Sequence, residues 1–168
     1  MDPEAAEIAG QQYGLIHRDQ ALRVGMTRRA IDGRTASGRW RIVRPSVYVI
    51  AGAAPSWEQD VLAAVLAAGD TAAASHATAA RLWALPCPPI ESFEVTTIRE
   101  RQVRLPGVTA HRSGVIPEAD RTTLRGIPIT SGARTAVDLS SRLDVDALRN
   151  LVDEGLRSGA MSLSGLNR

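Results

Sequence analysis

The sequence predicts an α+β fold, and three observations carry that prediction. Apolar residues recur at helical spacing in several stretches, most clearly Val145, Leu148, Leu151, Val152 and Leu156. Between such stretches lie short runs rich in β-branched and aromatic residues, as at 46–50 and 91–98. Glycine and proline punctuate the boundaries at Gly14, Gly25, Gly38, Pro55, Gly69, Pro86 and Gly159.

Pro3 suits the first turn of a helix, with Asp2 as its cap and Glu4 and Glu7 near the positive helix end. That helix runs to about Gln12, and Gly14 stops it. Residues 15–17 read as a short extended piece. A second helix starts near Arg18 or Asp19 and ends at Gly25, a good residue to follow the last turn. Thr27 caps a third helix over about 28–37, closed by Gly38. Residues 39–44 and 46–50 then form two short strands with Pro45 at the bend. Three helices followed by a β-hairpin describe a winged helix-turn-helix over residues 1–51.

Residues 51–55 read as a linker. Ser56 caps a helix over 57–68 whose Trp57, Val61, Leu62 and Val65 share one apolar face. A buried strand is expected at 71–74. Ser75 should cap a helix running to about Leu85, broken by Pro86-Cys87-Pro88-Pro89. Strands follow at 91–98 and 108–112, then a hairpin of 121–124 and 127–130 around Arg125-Gly126. Ser131 caps a helix to about Leu143, and a last helix spans 144–157 before Gly159. Residues 56–168 thus make a small α+β domain, large enough for its own core.

A chain of 168 residues allows one domain or two small ones. The single cysteine, Cys87, excludes an intrachain disulfide and suits a reducing cytoplasm. The longest apolar run, 61–68, is too short to span a bilayer. The acidic start M-D-P-E lacks the charge pattern of a signal peptide. These features predict a cytoplasmic protein with no membrane partner.

Charge is unevenly placed. The stretch 13–50 holds Arg18, Arg23, Arg28, Arg29, Arg34, Arg39, Arg41 and Arg44 against only Asp19 and Asp32, in a chain whose net charge is +2. The chain has no lysine, so part of this is compositional. Positive charge gathered on a helix-turn-helix nonetheless points to double-stranded DNA. On the third helix, Arg29, Asp32, Gly33 and Ala36 face opposite the core residues Ala30 and Ile31, with Arg28 on the flank. Small residues there let a helix approach base edges in a major groove. Arg34 lies toward the core side and snorkels. Trp40 and Tyr48 should pack the hairpin onto the helices. Thr27, Arg28, Arg29, Asp32, Arg39, Arg41 and Arg44 are therefore the expected DNA-binding residues, with Arg39 and Arg41 sharing a face of the wing.

Little in the chain suggests catalysis. His17, His76 and His111 show no pairwise metal-ligand spacing and no neighbouring carboxylate cluster. Arg134 and Asp138 form an i, i+4 pair that would fix their helix against the strands. Ser131 reads as a cap rather than a nucleophile. No phosphate-binding glycine loop or paired catalytic carboxylates appear. The expectation is a non-enzyme with no cofactor and no metal.

Four stretches carry a resemblance. They are Gly14-Leu15-Ile16 through Gly25-Met26-Thr27-Arg28-Arg29-Ala30-Ile31, Ser37-Gly38-Arg39-Trp40-Arg41 with Pro45-Ser46-Val47-Tyr48, Ser75-His76 through Ala80-Arg81-Leu82-Trp83-Ala84-Leu85, and Gly126-Ile127-Pro128-Ile129-Thr130-Ser131 with Arg134-Thr135 and Asp138-Leu139. In this order they resemble the AbiEi family of type IV antitoxins, in its actinobacterial branch. The resemblance implies a winged helix-turn-helix that represses its own toxin–antitoxin operon. It also implies an α+β domain that opposes a nucleotidyltransferase-type toxin, directly or indirectly. Many similar proteins continue into a nuclease-like domain resembling very-short-patch-repair endonucleases, so the expectation is that this chain is either a short member of the family or a fragment of such a protein. The alternatives are the DNA-targeting half of such a nuclease and a general transcriptional regulator.

Overall fold

A computed structural model describes residues 3–98 and 103–166. Asp2, the expected cap of the first helix, lies outside them. The first part of the chain runs α1 (Pro3–Gln11), β1 (Leu15–His17), α2 (Arg18–Arg23), α3 (Arg28–Ala36), β2 (Trp40–Arg44) and β3 (Val47–Ile50). The three strands form an antiparallel sheet in the order β1-β3-β2, with Ile16 opposite Tyr48 and Trp40 opposite Ile50. Side chains alternate across a strand, so the sheet has two apolar faces to bury. Ile16, Trp40 and Tyr48 join Ala5, Ala9, Ala21, Met26 and Ile31 beneath the helices. Leu15, Val47 and Val49 point the other way, toward the helix that follows.

That helix, α4 (Trp57–Ala68), is capped by Ser56, whose Oγ accepts the Gln59 N–H at 3.0 Å. The apolar spacing alone predicts one buried face. In the fold Val61, Leu62, Ala63, Ala64, Val65 and Ala68 are all buried, because α4 lies between two sheets. From Val61 onward the helix is apolar all round, which suits such a place, and its alanines let both sheets come close. Gln59 is buried too, and its Nε2 donates to Tyr13 O at 2.6 Å. Gly14 has φ +79°, and a Cβ there would collide with Ala53 Cβ. One core therefore runs unbroken past residues 51–55, from Leu15 and Val47 through α4 to Ile127 and Ile129.

The second sheet contains β4 (Ala73–Ala74), β5 (Phe93–Thr97), β6 (Val108–Arg112), β7 (Arg121–Leu124) and β8 (Ile127–Thr130) in the order β6-β5-β4-β8-β7. β5 with β6 and β4 with β8 are parallel; the other pairs are antiparallel. Its far face carries α5 (His76–Leu82), α6 (Gly132–Leu139) and α7 (Val145–Ser158), which close over Ala77, Ala80, Ala136, Leu139 and Leu151. Ser131 and Asp144 cap α6 and α7 through the Arg134 and Ala147 N–H groups. A 3-10 turn (Glu118–Asp120) and a short α8 (Leu163–Leu166) complete the described chain.

The architecture is α+β, with eight α-helices and two sheets among the described residues. Two helices end earlier than the sequence suggests. α5 stops at Leu82 because Ala84 turns to φ +57° and Trp83 Nε1 donates to Thr130 O at 3.0 Å. α6 stops at Leu139, and the turn after it carries Arg142 back to Glu94. Among the described residues, no helix is long and apolar enough to cross a membrane.

Candidate functional site

α3 is built to show one face and hide the other. Thr27 Oγ1 accepts the Ala30 N–H at 3.1 Å, which starts the helix at Arg28. Ile31 is fully buried, while Arg28, Arg29, Asp32, Gly33 and Ala36 are exposed. Asp32 Oδ1 accepts from Arg18 at 2.9 Å, so its charge is already paired across the α2–α3 turn. Arg34 is half-buried, with its guanidinium 5.6 Å from the Trp40 ring centre and NH1 donating to Ala30 O. Trp40 and Tyr48 are both buried, their ring centres 5.6 Å apart.

The hairpin arginines do not form one group. Arg41 follows the inward-facing Trp40 in β2, so it lies on the opposite side of the strand, and Arg39 stands at the bend just before β2; both are exposed. Arg44 goes elsewhere: its NH1 donates to Pro106 O at 2.8 Å, and its guanidinium lies 5.6 Å from the centre of Phe93. The β2–β3 bend is thereby tied to the second sheet. The seven expected residues thus divide into an α3 surface, Arg41 on edge strand β2 with Arg39 at the bend before it, and Arg44, which is occupied by an internal contact.

A second constellation forms where the sequence spacing gives no hint of one. The histidines show no carboxylate neighbour along the chain, but the fold supplies one. Parallel pairing of β5 with β6 sets Glu94 opposite Thr109 and Thr96 opposite His111, so Glu94 and His111 share a sheet face diagonally. α5 packs on that face and adds His76. Glu94 Oε1 accepts from His111 Nε2 at 3.1 Å and from Arg142 at 2.6 Å. Its Oε2 accepts the Ala77 N–H at 2.9 Å. Ser75 sits at the cap position of α5 but makes no side-chain cap bond, because its Oγ meets His76 Nδ1 at 3.0 Å. The His76 and His111 rings stack with centres 3.6 Å apart. His76 also holds φ +50°, uncommon for a residue with a side chain.

The electrostatics follow from these contacts. Burial alone would raise the Glu94 pKa, but hydrogen bonds from His111, the Ala77 N–H and Arg142 outweigh it and bring it to about 2. Burial lowers the pKa of His76, and the adjacent His111 adds to this. Behind His76, Asp138 binds Arg134 through Oδ1 at 2.7 Å, and Arg134 also reaches Asp120 at 3.3 Å. The second oxygen of Asp138 is buried with no hydrogen-bond partner, 3.9 Å from His76 Nδ1. Glu94, His111 and Arg142 open onto a cleft of about 440 Å³, also lined by Pro88, Pro89 and Thr109. One signal for this cluster was present in the sequence: Glu94 is the lone acid in the strand F-E-V-T-T.

No protein-family model matches this chain, and no curated protein is significantly similar to it.

Proposed function

We propose that this protein binds double-stranded DNA through residues 13–50, acting as a winged helix-turn-helix with α3 in the major groove. The observation that carries the reading is the composition of the exposed α3 face. Arg28 and Arg29 stand at its start, Gly33 and Ala36 leave room for close approach, and Asp32 is neutralised by Arg18. Thr27 fixes the start of that helix. Arg41 on the neighbouring edge strand and Arg39 at the bend before it add phosphate contacts. Arg44 serves to hold the hairpin against the rest of the molecule.

The resemblance to AbiEi-type antitoxins gives this binding a biological setting. The DNA is the operator of the protein's own operon, and the protein represses it. The remainder of the chain counteracts a nucleotidyltransferase-type toxin. A reporter driven by the upstream region tests the first part. Co-expression of the protein should silence it, and the Arg28→Ala/Arg29→Ala variant should restore expression. Equal silencing by the variant contradicts the reading. Rescue of growth in cells expressing the neighbouring toxin tests the second part, and failure to rescue removes it.

A further inference from the structure

We propose that His76, Glu94 and His111 form a site for one divalent transition-metal ion of the zinc type, with an open position toward the cleft. The site is independent of DNA binding. One ring nitrogen from each histidine and one carboxylate oxygen lie within 4.8 Å of one another. Ligands around a tetrahedral zinc stand roughly 3.4 Å apart, given metal–ligand distances of about 2.0–2.2 Å. The His111–Glu94 pair is already at 3.1 Å, so closing the site requires chiefly a rotation of His76. An imidazole ligates in its own plane, so the two rings must tilt out of their parallel stack as it closes. Two imidazoles and a carboxylate suit zinc, cobalt or nickel better than calcium or magnesium.

The surroundings of His76 are those of a ligand. Metal-bound histidines donate their other ring N–H to an oxygen, commonly a carboxylate. His76 Nδ1 faces Ser75 Oγ at 3.0 Å and Asp138 Oδ2 at 3.9 Å, which leaves Nε2 to bind the ion. The Asp138 side chain is 6% exposed, and this same oxygen lacks any hydrogen-bond partner. Fixing the His76 tautomer with the proton on Nδ1 directs a donor at that oxygen. Arg142 is the competitor. Its guanidinium holds Glu94 Oε1 at 2.6 Å but is 40% exposed, so it has solvent to move into when an ion arrives. With three protein ligands, the fourth position faces the cleft and takes water.

The test uses the full chain, stripped with chelator and titrated with cobalt(II) and then zinc(II). One cobalt(II) should bind per chain, with visible ligand-field absorption that zinc(II) displaces. Zinc(II) should also raise the melting temperature in a concentration-dependent way. His111→Ala should weaken binding at least about tenfold, the scale of losing a metal-site group. Its metal-free melting temperature should fall modestly, because the bond from His111 to Glu94 is lost, so affinities are compared at a temperature where both proteins are folded. Arg142→Ala should bind more tightly, since it removes a cation beside the ion. The proposal is overturned if the parent shows no stoichiometric cobalt signal, or if His111→Ala binds as the parent does. Weaker binding by Arg142→Ala also counts against it.

Discussion

The carboxylate of Glu94 caps the helix that Ser75 would be expected to cap: Glu94 Oε2 accepts the Ala77 N–H at 2.9 Å, from a strand 17 residues further on. This ties α5 to β5 by a charge-assisted bond and frees the Ser75 hydroxyl for His76. Glu94→Gln should therefore cost stability as well as local charge. Losing hydrogen bonds to a largely buried carboxylate predicts a cost of about 1.5–3 kcal/mol. Urea unfolding of the metal-free protein measures it, and an unchanged midpoint contradicts the role.

The pH dependence follows in sign. Glu94 titrates at about 2 when folded and near its ordinary value of 4.5 when unfolded. The unfolded chain therefore takes up the proton first as pH falls. The stabilisation is fully present above pH 4.5 and is lost as pH falls through about 2. Between these limits, the metal-free parent should lose stability more steeply than Glu94→Gln. Parallel curves in that window would show that Glu94 does not carry the effect.

Gly14 sits where backbone and packing both demand glycine. Its φ is +79°, and an added Cβ would run into Ala53. Gly25 has φ +86° but open space around its Cβ position. Gly25→Ala should cost about 1–2 kcal/mol from its left-handed conformation alone. Gly14→Ala should cost that plus an overpacking penalty of about 1–3 kcal/mol. Comparable melting temperatures for the two variants would refute the distinction.

Burial of α4 between two sheets predicts cooperative unfolding. Leu15 and Val49 on one side and Ile127 and Ile129 on the other belong to the same core. Calorimetry should give a single transition whose calorimetric and van't Hoff enthalpies agree. Ala64→Leu should lower that transition as a whole, because Ala64 is fully buried in the shared layer. Two separable transitions would mean that residues 1–51 and 56–168 fold independently.

Much of the element order is legible in the sequence, because it follows from local signals. Thr27, Ser56 and Ser131 announce helix starts and accept their capping N–H, whereas Ser75, expected to do the same, makes no cap bond. The spacing of Ala30, Ile31 and Arg34 correctly turns Arg34 inward, to Trp40. Long-range pairing is harder to read. Arg44 looks like one more exposed arginine until Pro106 and Phe93 are brought beside it. Glu94 lies 18 residues after His76 and 17 before His111, and the three meet only through the parallel β5–β6 pairing and the packing of α5. α4 reads as one-faced because alanine, small and weakly apolar, does not mark a buried face as leucine does.

The arginines of the hairpin offer an internal control for DNA binding. Removing an arginine that touches a phosphate should lower the salt slope of binding by about one unit. Arg39→Ala and Arg41→Ala should each show that decrease. Arg44→Ala should leave the slope unchanged and lower the melting temperature instead, since its guanidinium is held by Pro106 O. A slope change for Arg44→Ala equal to that for Arg41→Ala would contradict the assignment.

DNA binding itself is tested most simply by fluorescence anisotropy with the protein's own upstream DNA and a scrambled duplex, each at two salt concentrations, for the parent and Arg28→Ala/Arg29→Ala. Placing α3 in the major groove predicts tight binding selective for the upstream duplex, abolished in the variant while its melting temperature holds. Equal, weak and steeply salt-dependent binding to both duplexes, or a variant that binds as the parent does, would contradict that placement.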